Sequence, residues 1–256
     1  VYCFIGMNKL SRSKIELFLE CPRCFWLDIK QGIKRPQPAP YTINNAIDYL
    51  LKQEFDVHRE KGTPHPIMEK HKVEAVPYKH EDIHKWRQNF VGVQFHHEPT
   101  DFLVFGAVDD IWVNPDGELI VVDYKATGAK EHRIYDSYKR QMEIYQWLLR
   151  ANGFPVSDMG YFVFARANKA DGFGYALSAR DLSSSLRSPE RFGGIGREGG
   201  GVAALSFDMF IEPQEGDDCW IELALASAKE VFDSDEAPKS SGACEYCAYR
   251  KAGEEF

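Results

Sequence analysis

Asp123 and Lys125 stand two positions apart at the end of an apolar, β-branched run, LIVVDYKATG (residues 119–128). Side chains alternate along a strand, so the acid and the ammonium leave one face while Tyr124 turns to the other. Burying either charge alone is costly, which calls for a partner that both can use. The preceding segment, GAVDDIWV (residues 106–113), supplies Asp109 and Asp110, and an NPDG turn (114–117) brings them beside Asp123. Two carboxylates that close repel unless a proton or a divalent cation sits between them. A lysine beside such a cation can hold an attacking water and offset negative charge developing on a phosphate. The pattern points to metal-assisted hydrolysis, with a strand-end salt bridge as the simpler use of D-x-K. Which aspartate shares a face with Asp123 depends on the turn. A four-residue loop opposes Val113 to Glu118 and selects Asp110, whereas a three- or five-residue loop, or a bulge, selects Asp109.

A second group of chemically capable residues lies at the two ends of the chain. Cys21 and Cys24 (ECPRCFW) and Cys244 and Cys247 (ACEYCAYR) form two C-x-x-C pairs. In a chain read as intracellular, cysteines in such pairs serve metal or redox chemistry rather than disulfides. Four thiolates hold either a tetrahedral structural zinc, the ordinary choice from spacing, or a [4Fe-4S] cluster. Either would staple the ends together. Cys3 and Cys219 stand alone and read as buried small hydrophobes.

The elements that must position these groups follow from periodicity. A capping box, Ser13 with Glu16, opens a short helix carrying Ile15, Phe18 and Leu19 that runs into Cys21-Pro22. KRPQPAPY (34–41) is an extended connector. Ile43, Ile47, Leu50, Leu51 and Phe55 then mark one side of an amphipathic helix. Residues 62–100, rich in His, Lys and Pro, hold a strand or two without a fixed place. FLVFGAVDDIWV (102–113) and ELIVVDYKAT (118–127) read as the two strands of a hairpin. Tyr138, Met142, Tyr145 and Leu149 mark a helix stopped by Gly153 and Pro155, and GYFVFARA (160–167) is a strand. SFDMFIE (206–212) is another strand, and a helix spans about Asp217 to Phe232. The stretch 181–201 has the composition of a loop insertion. Its Gly194, Gly196 and Gly199 spell G-x-G-x-x-G, but no apolar strand leads into them, so a dinucleotide site is rejected.

These elements give a mixed α/β (α+β) class and one domain across residues 1–256, with 44% apolar residues ample for a core. No apolar run approaches the length of a membrane span, and VYCFIG ahead of Met7 is too short and uncharged for a signal peptide. The expectation is a soluble cytoplasmic protein, not bound to a membrane, whose natural start is Met7. A net charge of −8 argues against a uniformly basic surface, yet enzymes that cut nucleic acid collect carboxylates for metal. Locally the balance reverses: Lys125, Lys130, Arg133, Lys139 and Arg140 face only Glu131 and Asp136 in sequence.

GAVDDI, IVVDYKATG and QMEIY, in that order, resemble motif II, motif III and the Q-x-x-x-Y element of the PD-(D/E)XK nucleases. The likeness is to the RecB-like group that includes the CRISPR-associated iron-sulfur exonucleases. The serine-led LSRSKIELFLECP and the closing CEYCAYR are similar to the same group. The resemblance implies a restriction-endonuclease-like core, a central mixed sheet flanked by helices, with a cysteine metal site joining the ends. Through Gly106-x-x-Asp109 it selects Asp109 as a metal ligand, beside Asp123 and the carbonyl of Tyr124. Lys125 becomes the catalytic lysine, and Gln141 and Tyr145, four apart on one helical face, point at the cleft and the substrate backbone. Where the family commonly has a histidine ligand, NNAIDYLLK offers Asp48, whose oxygen suits Mg²⁺ or Mn²⁺. Relatives often carry one cysteine early and three late, whereas this chain has two and two; the resemblance still moves the cysteine site to [4Fe-4S], with structural zinc the alternative. The function it implies is a Mg²⁺- or Mn²⁺-dependent deoxyribonuclease, an exonuclease on single-stranded DNA or DNA ends, working with a CRISPR adaptation or DNA-repair complex. The alternative is a non-catalytic nucleic-acid-binding accessory module of CRISPR adaptation or recombination, stapled by zinc.

Overall fold

The computed structural model describes residues 8–37, 39, 41–131, 133–169, 174–176 and 202–253. The Met7 start, Cys3 and the insertion at 181–201 with its glycines lie outside the described residues. The first strand, β1 (Asn8–Ser11), leads directly into α1 (Arg12–Glu20). Ser11 keeps the extended backbone of the strand and therefore caps α1, accepting the Lys14 amide at 3.3 Å. The expected box on Ser13 is displaced by those two residues. Ser13 sits inside the first turn, and Glu16 accepts two bonds from Arg140 at 3.0 and 2.6 Å instead of reaching back. Cys21 interrupts the helix, and Pro22 starts α2 (Pro22–Gln31) at a position where its missing N–H is harmless.

After the connector come α3 (Thr42–Lys61), α4 (Pro66–Lys70), β2 (Val76–Pro77) and α5 (Ile83–Trp86). The chain continues with β3 (Val93–His97), β4 (Phe102–Gly106), β5 (Asp110–Val113), β6 (Leu119–Thr127) and α6 (Asp136–Ala151). It ends with β7 (Met159–Ala167), β8 (Gly174–Ala176), β9 (Val202–Ala204), β10 (Phe207–Glu215), α7 (Ile221–Asp233) and α8 (Glu245–Gly253).

Among the described residues a five-stranded mixed sheet runs in the order β10-β7-β6-β5-β2, and a three-stranded sheet in the order β1-β4-β3. β6 and β7 are parallel, so the chain must cross over between them, and α6 makes the crossing. β8 and β9 pair separately. Both faces of β6 are covered, which accounts for its nearly continuous apolar run. Leu119 and Val121 pack with Ile111, Phe162 and Phe164 in a cluster that includes Met142, Tyr145 and Leu148 of α6. On the other face Ile120, Val122 and Tyr124 join Trp112 and Val163 against Leu51 and Phe55 of α3.

Three further expectations change. FLVFGAVDDIWV is not one strand: β4 belongs to the three-stranded sheet and β5 to the five-stranded one, and the chain passes between them at Ala107 to Asp109. The Val108 amide bonds the Trp86 carbonyl at 3.1 Å at this crossing, so it leaves both ladders without losing its partner. On α3 the inward row is Ile47, Leu51, Phe55 and Arg59, one every fourth residue, while Ile43 and Leu50 are exposed. Cys219 is exposed rather than buried, in the turn before α7. No helix among the described residues is long and apolar enough to cross a membrane.

Where β3 begins, Gly92 has φ +62°, and a Cβ there would lie 2.2 Å from the Gly106 carbonyl oxygen and 2.8 Å from the Ala107 amide nitrogen. Gly92→Ala is expected to lower stability by about 2–3 kcal/mol, from backbone strain and overlap with a neighbour that cannot give way. Urea unfolding measures this; an unchanged midpoint would show that β3 and β4 can part without cost.

Candidate active site

The hairpin register decides which acids meet. Val113 pairs with Leu119 and Asp110 with Val122, leaving residues 114–118 between the paired positions, an odd number. Continuing that register one step puts Asp109 across from Asp123, on the α6 side of the sheet, and turns Asp110 to the α3 side with Tyr124. The two neighbouring aspartates therefore have opposite surroundings. Asp110 is completely buried and accepts from Arg59, from Arg87 at 2.8 Å and from the Tyr124 hydroxyl at 2.6 Å. Those partners neutralise it inside the core. Asp109 lies at the cleft, where its Oδ2 accepts the Tyr124 amide at 3.0 Å.

Asp123 is buried, and its Oδ1 accepts from Gln141 Nε2 at 2.7 Å. Its Oδ2 meets the Lys125 ammonium at 2.5 Å as an ion pair and accepts no other bond, so this buried oxygen keeps spare acceptor capacity. Burial, and then the charge of Asp109, push the Asp123 pKa up to about 7, with Lys125 pulling the other way. Lys125 also stands 4.3 Å above the Tyr138 ring. Gln141 reaches on to the Tyr145 hydroxyl at 3.3 Å, and burial raises that phenol to about 12. The Tyr145 ring rests on β4: a Cβ at Gly106 would lie 2.5 Å from it. The glycine of G-x-x-D is thus the place where the Q-x-x-x-Y tyrosine meets the strand.

The arrangement comprises paired acids and a lysine at a strand end, an α6 glutamine and tyrosine behind them, and a mixed sheet between helices. A family model of the PD-(D/E)XK nuclease superfamily matches residues 9–252. The chain belongs to this superfamily. Its members are generally nucleases, which fits carboxylates gathered around a spare acceptor. Comparison with curated proteins gives no match.

In this PD-(D/E)XK chain two cavities meet at Asp109, Asn89 and Ala107. One, of about 560 Å³, is lined by Asn44, Asp48, Lys52, Lys125 and Tyr138. The other, of about 490 Å³, is lined by Lys9, Arg12, Lys14, Phe90, Gln141 and Tyr145. Asp48 does come to the cleft, joined to Asp109 by Lys52, whose Nζ lies 2.8 Å from Asp48 and 3.3 Å from Asp109. Burial, and next Asp109, raise the Asp48 pKa. Tyr124 contributes backbone only, since its side chain is spent on Asp110. Sequence reasoning missed Lys52, although its i,i+4 spacing from Asp48 was a usable signal. It also missed Lys9, Arg12 and Lys14, which reach the cleft through the parallel pairing of β1 with β4. No local pattern reveals a pairing that distant.

The four paired cysteines come together. Their Sγ atoms all lie within 4.8 Å of one another, with Cys21 to Cys247 at 3.8 Å and Cys24 at 3.6 Å from both Cys244 and Cys247. The Arg35 guanidinium approaches the Cys244 sulfur at 3.6 Å. Burial pushes the Cys21 thiol up, but N–H donors at Cys24 and Ser241 outweigh it and bring it to about 7. Burial and neighbouring thiols raise Cys247, and burial raises Cys24. A bound cation would relieve this crowding of sulfurs.

The register has a direct test in the two aspartates. Asp110→Ala leaves Arg59 and Arg87 in the core with Asp56 as their remaining carboxylate and the Tyr124 hydroxyl without its acceptor, and is expected to cost about 3 kcal/mol. Asp109→Ala loses the Tyr124 amide bond and the Lys52 ion pair but relieves repulsion on Asp123 and Asp48, and is expected to shift stability by no more than about 1 kcal/mol. Equal losses in urea unfolding would contradict the assignment of faces.

Proposed function

We propose that this chain is a metal-dependent deoxyribonuclease that hydrolyses phosphodiester bonds, acting as an exonuclease on single-stranded DNA or DNA ends. The observation that carries the reading is the buried, under-coordinated Asp123 Oδ2 beside a second carboxylate and a lysine. Asp109, Asp123, Asp48 and the Tyr124 carbonyl would hold Mg²⁺ or Mn²⁺, which when bound polarises the phosphate and acidifies water. Lys125 orients the attacking water with its ammonium and faces the negative charge that builds on the phosphate oxygens. The Tyr138 ring limits where Lys125 can swing. Gln141 holds Asp123 in its rotamer and, with Tyr145, presents polar groups to the substrate backbone. Lys52 pairs with Asp48 and Asp109 and contains their repulsion until a cation takes over that task. Lys9 and Arg12, with Lys14 held in an ion pair by Asp28, give the second cavity a cationic wall suited to DNA phosphates.

The order of motifs and the cysteines that bracket them support placement in the RecB-like branch. The match over residues 9–252 and the meeting of the two ends at the cysteines support one nuclease domain. For the cysteine site the resemblance favours [4Fe-4S], but the sulfur spacings favour a single ion. Three of the six separations, at 3.6 to 3.8 Å, match the edge, about 3.8 Å, of a tetrahedron with zinc–sulfur bonds of about 2.3 Å, and all six are within 4.8 Å. A four-iron cube inserts its own edges and holds the sulfurs further apart. We therefore place structural zinc there, as a staple between α8 and the α1–α2 junction.

Purified protein is expected to degrade end-labelled single-stranded DNA with Mn²⁺ or Mg²⁺ and to stop in EDTA. Lys125→Ala should lower kcat by about 100-fold or more while leaving the fold intact. Intact DNA across both metals and all strand structures would overturn the enzymatic reading. In a separate assay, anaerobically purified protein is expected to be colourless with one zinc per chain. A brown protein containing about four irons would return the site to the cluster assignment.

A further inference from the structure

Phe90 is a large apolar side chain from which the fold gains nothing. It is 84% exposed, and its backbone has φ +67°, the left-handed region that bulky residues adopt only at a cost. Asparagine or glycine would serve that turn better, so neither burial nor backbone preference accounts for phenylalanine here.

The loop nevertheless fixes the backbone that carries the ring. The Val91 and Gly92 amides both bond the Gln88 carbonyl, at 3.2 and 2.9 Å, and Gln94 bonds the Val91 carbonyl at 2.9 Å. On one side Trp86 is buried beneath the His80 ring, 4.6 Å away. On the other, Gly92 lies against Gly106, a contact that admits no side chain. Phe90 stands at the cavity that Lys9, Arg12, Lys14 and Gln141 line and that opens on Asp109. With Phe105 and the buried Tyr145 set deeper in the lining, one exposed ring among cations is a poor protein-docking patch, because it offers little contiguous apolar area. It is the pairing that unpaired nucleic acid uses, with a base stacked on the ring and its phosphates on the cations.

We propose that Phe90 is the stacking platform for a base next to the scissile phosphate, a positioning residue that favours unpaired nucleotides over duplex interiors. A base inside a duplex has both faces covered by its neighbours, so only a single strand or a strand end can use the ring. The proposal rests on the nuclease reading for its location and deepens it by naming the recognised substrate feature.

The test uses the full chain with Phe90→Asn and Phe90→Trp, and oligothymidylate as the probe, bound in Ca²⁺ without turnover. Asparagine tolerates the left-handed backbone, so Phe90→Asn is expected to keep or raise Tm while weakening binding about 10-fold, the loss of one stacked base. Phe90→Trp should bind within about threefold of the parent, since it restores a ring. With Mn²⁺, Phe90→Asn should raise KM far more than it lowers kcat. An abasic residue scanned along the oligonucleotide should weaken the parent at one position near the cleavage point and leave Phe90→Asn insensitive there. Unchanged binding in Phe90→Asn would overturn the proposal, as would a joint loss of Tm and binding that tryptophan does not restore. If the parent binds but never cleaves, and Phe90→Asn weakens that binding, the nuclease reading fails and the stacking role stands. If it cleaves and Phe90→Asn behaves identically, only the platform fails, and if it neither binds nor cleaves, both do.

Discussion

Asp109 and Asp110 are neighbours in the chain, and the odd number of residues between β5 and β6 sends them to opposite faces of one sheet. Each face then determines what its acid can do. On the α3 side, Arg59, Arg87 and Tyr124 surround Asp110 with donors, and its charge becomes part of the core. On the α6 side, Asp123 meets the Lys125 ammonium, and Asp109 meets that of Lys52, which arrives from α3. A shift of one residue would exchange these roles, putting the unneutralised acid in the core and the satisfied one in the cleft. The apolar alternation of β6, with Val121 under α6 and Val122 under α3, opposes that shift.

The same sheet explains why the cleft is where it is. β6 is covered on both faces along most of its length, and its burial falls away from Lys125 onward, where the strand has run past β5 while still paired with β7. Charged groups at that end reach solvent while their backbones remain in the ladder. β4 ends beside it in a second sheet, and the crossing from β4 to β5 carries Asp109 across the gap. The cleft is therefore the seam between two sheets, with α3 on one side and β1 with the start of α1 on the other. The cysteine cluster ties α8 back to the α1–α2 junction and so restrains the segment that carries Lys9, Arg12 and Lys14.

What could be read from the sequence was whatever depends on local periodicity. The strand alternation put Asp123 and Lys125 together, helical spacing put Gln141 and Tyr145 together, and the structure places these four side chains around one point. The paired cysteines were legible for the same reason, as two short-range pairs. The choice between Asp109 and Asp110 was not, because it turns on whether a loop has an even or odd number of residues. The resemblance selected Asp109, and the register puts that residue on the face of Asp123. The break in FLVFGAVDDIWV was hidden because both halves are apolar and strand-like; the bond from the Val108 amide to the Trp86 carbonyl that satisfies the crossing comes from an element distant in sequence. Arg12 and Phe90 owe their positions to strand pairing and to a positive-φ turn, neither of which leaves a repeating pattern.

Burial of Asp123 carries a consequence beyond geometry. A carboxylate with no access to water ionises only if nearby positive charge compensates it, and here burial together with Asp109 outweighs Lys125, so the acid is held at about 7. Without further positive charge the site is thus poised between a proton and a cation on the same oxygen. Lys52 does for Asp48 and Asp109 what the proton does for Asp123: it supplies a positive charge that a divalent ion would replace. A core stabilised for its own sake would have paired each acid fully, as Asp110 is paired a few ångströms away. The contrast between the fully neutralised Asp110 and the under-compensated Asp123 is the physical mark of a place built to receive charge from outside the chain.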